Sequence, residues 1–363
     1  MTSKFLELNS LFKELVPADD QAQLVIYIAG EKVVDDATGV DPDQLLPIYS
    51  VSKALSAIVV AKVVEYGLLD LEKPVSHYWP EFAANGKSEI TVRQLFSHQA
   101  GLPETRARLT PDQLRSDHEA AALLASERPL WAPGKAFGYH GITIGNLISE
   151  VIFRVTGSTV QEYFEREVRT KTNADAYLGL PKDLHHRFLP SLPAKDPALS
   201  PNPRSLNNHV FATFIDACEP TKQETSYLFS TAGLEFGQPA AGGVASARGL
   251  AEIFNWATGY GGNQAGINAA VLEDFSQVQV YGYDLVLDQP NISFGTIFMK
   301  PTVDKPYGSI GAFGHNGAAG AWLFADPANE IVFSYVVRRF SGPEAFNSRI
   351  LPIINKLHQI IGM

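Results

Sequence analysis

The stretch IYSVSKALSAIVVAKVVEYG, residues 48–67, decides the fold. Its apolar positions Val51, Leu55, Ile58, Val59 and Val63 recur at helical spacing and run up to Gly67, a residue suited to the position just past a helix end. The helix reads as apolar and buried. At its opening turn Ser50 and Lys53 stand three residues apart, so both side chains project from one face. A serine hydroxyl is a poor nucleophile until a base removes its proton, and a lysine desolvated against a helix can give up its own proton readily enough to be that base. Spacing alone does not decide the matter. Ser10-Leu11-Phe12-Lys13 has the same form, on the surface-type amphipathic segment MTSKFLELNSLFKELV.

On the N-terminal side, Leu24 to Ala29 and Lys32 to Asp35 flank Gly30-Glu31, which reads as the two-residue turn of a hairpin. On the C-terminal side, Thr91 is placed to cap a short helix stopped by Gly101 and Pro103, and Thr143 to cap a longer one ending at Gly157. Thr159 and Glu162 form a capping-box pair. Residues Pro181 to Pro239 are rich in Pro, Ser and Asn. Pro190, Pro193, Pro197, Pro201 and Pro203 forbid long regular structure there, and a loop of this length is expected to shape the rim of a pocket. After a helix near Ala247 to Trp256 the pattern turns strand-like over Tyr283 to Leu287, Ser293 to Met299, Ala319 to Ala325 and Ile331 to Val337. A last apolar helix near Ala345 to Ile361 follows. Strands at both ends with helices between imply a discontinuous sheet domain, residues 1–60 and 280–363, interrupted by a mainly helical insertion, residues 61–279.

The 363 residues are 45% hydrophobic, enough to bury a large core. A net charge of −10 with scattered Lys and Arg argues against nucleic acid and anionic membranes as partners. The single cysteine, Cys218, excludes an internal disulfide and fits a reducing compartment. Without a signal peptide or an apolar run of about 18 residues, the reading is a cytoplasmic protein. His185-His186 lacks a second ligand pair, and no H-E-x-x-H occurs, so no metal is implied. There is also no G-x-S-x-G elbow and no phosphate-binding glycine loop. The Arg338-Arg339 pair reads as a solvated strand end.

Five blocks together carry a resemblance to a known family. Residues 48–82, beginning IYSVSK, are followed by TVRQLFSHQAGLP (91–103), PGKAFGYHGITIGNLISEVIFRVTG (133–157), PAAGGVASARGLAEIF (239–254) and FGHNGAAGAWLFADPANEIVFSYVVRR (313–339). The chain resembles the β-lactamase-related serine hydrolases, which include class C β-lactamases, DD-peptidases and family VIII esterases, and whose S-x-x-K motif Ser50 and Lys53 match. The resemblance implies an α+β fold of the β-lactamase and penicillin-binding-protein type, an antiparallel sheet with flanking helices plus an inserted helical domain. It makes Ser50 the nucleophile, Lys53 its partner, and Tyr139 the tyrosine of Y-x-N. It also places His315-Asn316-Gly317 on the strand that walls the site, with the amides of Ser50 and Ala318 as the oxyanion hole. Gly317 and Gly320 fit a backbone that substrate approaches closely. His98 and His140 lie in family-like blocks, where histidines are most often structural. His140, beside Tyr139, also stands with His315, Asn316 and Gly317 as a substrate-binding candidate.

Two positions depart from the family pattern. Gly141 replaces the asparagine of Y-x-N and offers no side-chain amide, and His315 replaces the K-T-G lysine with a group that is neutral near pH 7 in many settings. Both tilt the expectation toward small carboxylic esters, hydrolysed through an acyl-enzyme on Ser50 without a cofactor. An amidase, D-amino-acid peptidase or weak β-lactamase on the same machinery is the alternative. A non-catalytic acyl-binding or filament-forming protein is the alternative of another class, against which the intact Ser50, Lys53 and Tyr139 argue.

Overall fold

The computed structural model describes residues 3–106, 109–196, 228–341 and 345–362. Cys218 and the prolines at 197, 201 and 203 lie outside them. The described elements that matter here are helix α1 (Leu6–Leu15), strands β1 (Ala22–Ile28), β2 (Glu31–Thr38) and β3 (Leu46–Pro47), and helices α2 (Ser52–Glu65), α3 (Val92–Phe96), α4 (Asp117–Ser126), α5 (Thr143–Thr156) and α6 (Val160–Phe164). Strands β4 (Ala176–Tyr177) and β5 (Val244–Ala245) follow, then helices α7 (Ala247–Thr258) and α8 (Ala269–Ser276). The C-terminal part contains β6 (Val280–Asp284), β7 (Gln289–Phe294), β8 (Phe313–Asn316), β9 (Trp322–Asp326), β10 (Ile331–Val337) and α9 (Leu351–Ile361).

A five-stranded antiparallel sheet, ordered β2-β1-β10-β9-β8, joins the two ends of the chain. Ala22 pairs with Val337 and Ile28 with Ile331, so the N-terminal hairpin is completed only by residues three hundred positions away. The period of two sends alternate side chains to opposite faces. Leu24, Ile26, Trp322, Phe324, Phe333 and Tyr335 pack beneath the terminal helices with Leu8, Phe12, Ile353 and Leu357. Val25, Leu323, Ala325, Val332 and Val336 join the larger core around α2 and α7. Covered on both faces, β10 is buried from end to end, which is why IVFSYVV reads as a continuous apolar run. Helix α2 is buried from Ser52 to Val63 for the same reason, having neighbours on every side. Fold class and strand direction agree with the expectation from sequence.

Several local expectations are corrected. The hairpin turn is Ala29-Gly30, with φ of 46° and 78°, and Glu31 already belongs to β2. Thr143 is the first residue of α5 rather than its cap, because its hydroxyl is committed to Leu102 O at 2.8 Å. Thr91 and Thr159 do form capping boxes, but α3 stops at Phe96, ahead of Gly101, where His98 turns left-handed at φ 64°. The strand expected over Tyr283 to Leu287 is β6, which ends at Asp284. That carboxylate captures the amides of Val286 and Leu287, both at 2.8 Å, and curls the chain. The next strand ends at Phe294 rather than Met299, since the amides of Thr296 and Ile297 turn away to Phe275 O and Phe96 O. β9 begins at Trp322 because residues 317–320 form a turn with Gly320 at φ 108°. The last helix opens with a wide turn over Phe346–Ile350. Arg338 and Arg339 are partly buried rather than a freely solvated strand end. Arg338 donates to Pro190 O at 2.7 Å and Arg339 to Pro193 O at 3.0 Å, tying the Pro-rich segment to the sheet.

Among the described residues no helix is long and apolar enough to cross a membrane.

Candidate active site

The site is assembled from pieces of chain far apart in sequence, beginning with the turn before α2. Tyr49 there is left-handed, at φ 47°, a conformation that costs a non-glycine residue about 1–2 kcal/mol. Its surroundings hold the strain. The Tyr49 ring lies edge-on to Phe229 and Phe340 at 5.0 and 5.4 Å, its hydroxyl is hydrogen-bonded to Ser191 Oγ, and its carbonyl accepts from Ser52 Oγ. Such outliers gather where a side chain must be aimed, and the residue aimed here is Ser50, 4% exposed.

The second piece is the loop before α5. Tyr139 donates from its hydroxyl to Ser50 Oγ at 2.9 Å. Its ring stacks on Phe294, and its amide donates to Asp284 Oδ1 at 3.1 Å. Burial pushes the Asp284 carboxyl above its ordinary range. Gly138 is required by close approach, because a Cβ there would lie 2.7 Å from Val286 Cγ2 and 2.9 Å from Trp131 Cη2.

Lys53 joins both pieces to a third. Wholly buried, it donates to Ser50 Oγ at 3.2 Å, to Gly141 O at 2.7 Å and to Ala240 O at 2.8 Å. These acceptors match the three N–H bonds of an ammonium. Its Nζ stands 4.9 Å from the centre of the Tyr139 ring, where a cation favours negative charge developing on the phenol. The segment bearing Ala240 is fastened along one face of α2, with Ser56 donating to Pro239 O at 2.8 Å and Gly243 N to Ser52 Oγ at 2.9 Å.

The fourth piece is the end of β8. Gly317 presses against the Ser50 turn: a Cβ there would meet Ile48 O at 2.4 Å. The glycine is therefore needed for packing against the chain's own backbone, and Gly320 similarly faces Ser341 Oγ. Gly317 N donates to Ala321 O and Gly320 N to Gly317 O, while the partly buried Ala318 amide donates to no described residue.

His98, His140 and His315 are buried and bonded to backbone. His140 was a substrate-binding candidate, but it is wholly buried and both ring nitrogens are spent on backbone, Nε2 accepting from Leu102 N at 2.9 Å and Nδ1 donating to Gly138 O at 2.7 Å. Burial lowers its pKa to about 4. His98 Nδ1 accepts from His140 N, and burial holds His98 well below the usual imidazole range. His315 is buried beside Tyr139, with Nδ1 on Asn316 O at 2.8 Å; burial first, and the Lys53 charge second, lower its pKa to about 3. It presents no cation to a substrate at neutral pH. The Ser10 decoy is exposed and bonds Leu6 O, while Lys13 pairs with Asp36 at 3.0 Å. His185 and His186 turn to backbone carbonyls, and no group of three or more His, Cys, Asp or Glu among the described residues is placed to hold a metal ion.

Sequence reasoning missed Asp284, Gln238 and the carbonyls of Gly141 and Ala240. No motif announces a backbone acceptor. Asp284 ends an alternating run and Gln238 precedes Pro-Ala-Ala-Gly-Gly, settings equally typical of loops.

The chain has relatives among known proteins. The Beta-lactamase family model matches residues 12–354. The esterase/beta-lactamase LipL of Mycobacterium tuberculosis is 31% identical over 344 residues, covering 88% of this chain and 77% of that protein. The structure of EstA from Arthrobacter nitroguajacolicus Rue61a superposes with a TM-score of 0.88 at 37% identity, covering 99% of this chain and 96% of the other. A family VIII carboxylesterase gives 0.85 at 27% identity, with 99% and 98% covered.

Proposed function

The chain belongs to the Beta-lactamase family, and on that premise we propose that it is a serine hydrolase that cleaves small carboxylic esters through an acyl-enzyme on Ser50. The observation that carries the reading is the convergence of Tyr139 Oη and Lys53 Nζ on one oxygen, Ser50 Oγ, at 2.9 and 3.2 Å. That geometry suits a nucleophile whose proton is handled by two partners acting together. In the reactive state the Tyr139–Lys53 pair has lost one of the protons that a phenol and an ammonium carry together, so that as Ser50 Oγ adds to the ester carbonyl the pair takes up its proton. The bond to the alcohol then breaks, and the proton leaves with the alkoxide. Water adds to the acyl group, the pair takes its proton, and Ser50 recovers that proton as the acid departs. The amides of Ser50 and Ala318 hold the oxyanion, a contribution of about 3 kcal/mol where such donors have been removed singly.

Ester rather than β-lactam selectivity is supported by two features of the wall. Gly141 offers no side-chain amide, and its carbonyl is already occupied by Lys53. His315 is neutral and buried, so a substrate carboxylate finds no cation there. Among the relatives, the family VIII carboxylesterase supports an ester substrate, while LipL is named both an esterase and a beta-lactamase. The test is a side-by-side measurement of kcat/KM for p-nitrophenyl butyrate and nitrocefin. Two missing polar contacts predict an ester advantage of about 10²-fold or more. Equal or better nitrocefin turnover overturns the ester preference.

A further inference from the structure

Gln238 touches no reacting atom, yet its buried side chain lies between the two backbone segments that grip Lys53. Its Nε2 donates to Ile142 O at 3.0 Å, one residue beyond the Gly141 carbonyl that accepts from Lys53. Its Oε1 accepts from Ala240 N at 2.6 Å and Ala241 N at 3.0 Å, on the residue whose own carbonyl is the other backbone acceptor of Lys53. The fit is close on both sides. A Cβ on Gly145 would lie 2.6 Å from Gln238 Nε2 and 2.7 Å from Ala240 N, and one on Gly242 would lie 2.4 Å from Gln238 N. The side chain is wholly buried and uses both ends of its amide. Neither a hydrocarbon nor a carboxylate reproduces that combination of donor and acceptor.

We propose that Gln238 is a positioning residue that holds Gly141 O and Ala240 O in register so that the Lys53 ammonium is fixed against Ser50 and Tyr139; the proposal rests on the Ser50 hydrolase reading. Helix α2 already fastens the 239–243 segment through Ser52 and Ser56, but those bonds do not reach the Tyr139 loop. Gln238 does. The titratable groups that sense the Lys53 charge are Tyr139, His98 and His315, and both histidines are held neutral by burial. Loss of the clamp is therefore read in the relay itself.

The experiment compares Gln238→Met with wild type on p-nitrophenyl butyrate across pH, with thermal melting to establish folding and fluorophosphonate labelling of wild-type Ser50 as the reference. The expected result is a loss in kcat of about 10- to 100-fold with KM nearly unchanged, the scale seen when supporting partners of a site are removed. The relay limb of the pH–rate profile should move to lower pH, because an ammonium that has lost fixed acceptors gives up its proton more easily. Gly145→Ala, which crowds the same amide without deleting it, should move kcat and the profile in the same direction by less, and it supplies the test if Gln238→Met does not fold. Variants with wild-type kcat and profile overturn the role of Gln238, and so does a lowered melting point with an unmoved profile. Failure of wild type to label at Ser50 overturns the hydrolase reading beneath the proposal.

Discussion

The hydroxyl of Tyr139 reaches Ser50 Oγ at 2.9 Å across 89 positions of sequence, and Lys53 reaches the same oxygen from three residues away. One contact is local to the helix and the other depends on the whole fold, yet they converge on one oxygen. Residues that act as a unit are not independent contributors. Lys53→Ala and Tyr139→Phe should each depress acylation by about 10³-fold while the double mutant loses little more than either. Pre-steady-state acylation rates of the three variants check this. A double-mutant loss equal to the product of the single losses rules out a shared relay.

Asp284 holds the amides of Tyr139, Val286 and Leu287 on one oxygen, at 3.1, 2.8 and 2.8 Å. Asp284→Ala leaves two buried donors and one partly buried donor without that acceptor and should destabilise the protein by about 2–4 kcal/mol, with a loss of turnover as Tyr139 drifts. Asp284→Asn keeps an acceptor oxygen and should retain most of both. Urea unfolding and ester turnover, measured on the two variants, separate the cases; equal damage in both contradicts the hydrogen-bonding account.

Three buried histidines predict how the fold responds to acid. Burial keeps His98 well below its ordinary range, His140 at about 4 and His315 at about 3. A depressed native pKa gives stability that is present above the unfolded value of 6.5 and lost as pH falls toward the native value. For His140 alone the loss by pH 5 is on the order of 2 kcal/mol. Urea midpoints should therefore fall between pH 7 and pH 5, and His140→Gln should flatten the fall.

Asp117 works in the opposite sense. Burial raises its carboxyl to about 6, only partly countered by the side chains of Gln161, Ser149 and Asn146. Stability from a raised acid is present below 3.8 and is lost as pH rises through about 6, so Asp117 softens the acid loss caused by the histidines. Asp117→Asn should be more stable than wild type at pH 7 and should decline more steeply on acidification. A parallel pair of stability–pH curves contradicts this.

The fold was legible because its strongest signals are local. The largely apolar α2, the apolar run of β10 and the capping boxes at Thr91 and Thr159 can be read from residues within a few positions of one another. Family blocks then ordered these elements into a sheet joining both chain ends. The misplaced boundaries share a cause, which is tertiary capture of a backbone or side-chain group. Thr143 was drawn from a capping role to Leu102 O, and β6 was curled by Asp284. Adjacency to Tyr139 in sequence said nothing of the partners of His140, whose ring nitrogens are bonded to Leu102 N and Gly138 O. The carbonyls that grip Lys53 and the amide of Gln238 were invisible, since a backbone oxygen has no sequence signature and a buried glutamine looks like a surface one.

Labelling at a single serine is the sharpest check on Ser50 as the nucleophile. The chain contains two Ser-x-x-Lys segments, but Ser10 is exposed with its hydroxyl on Leu6 O, whereas Ser50 is buried against Tyr139 and Lys53. Wild type, Ser10→Ala and Ser50→Ala are treated with a fluorophosphonate, digested and mapped by mass spectrometry, with p-nitrophenyl butyrate turnover measured alongside. A nucleophilic Ser50 predicts one adduct on the Ser50 peptide in wild type and Ser10→Ala, no adduct in Ser50→Ala, and a loss of turnover in that variant of about 10³-fold or more. An adduct at Ser10, no adduct in wild type, or undiminished turnover in Ser50→Ala contradicts it.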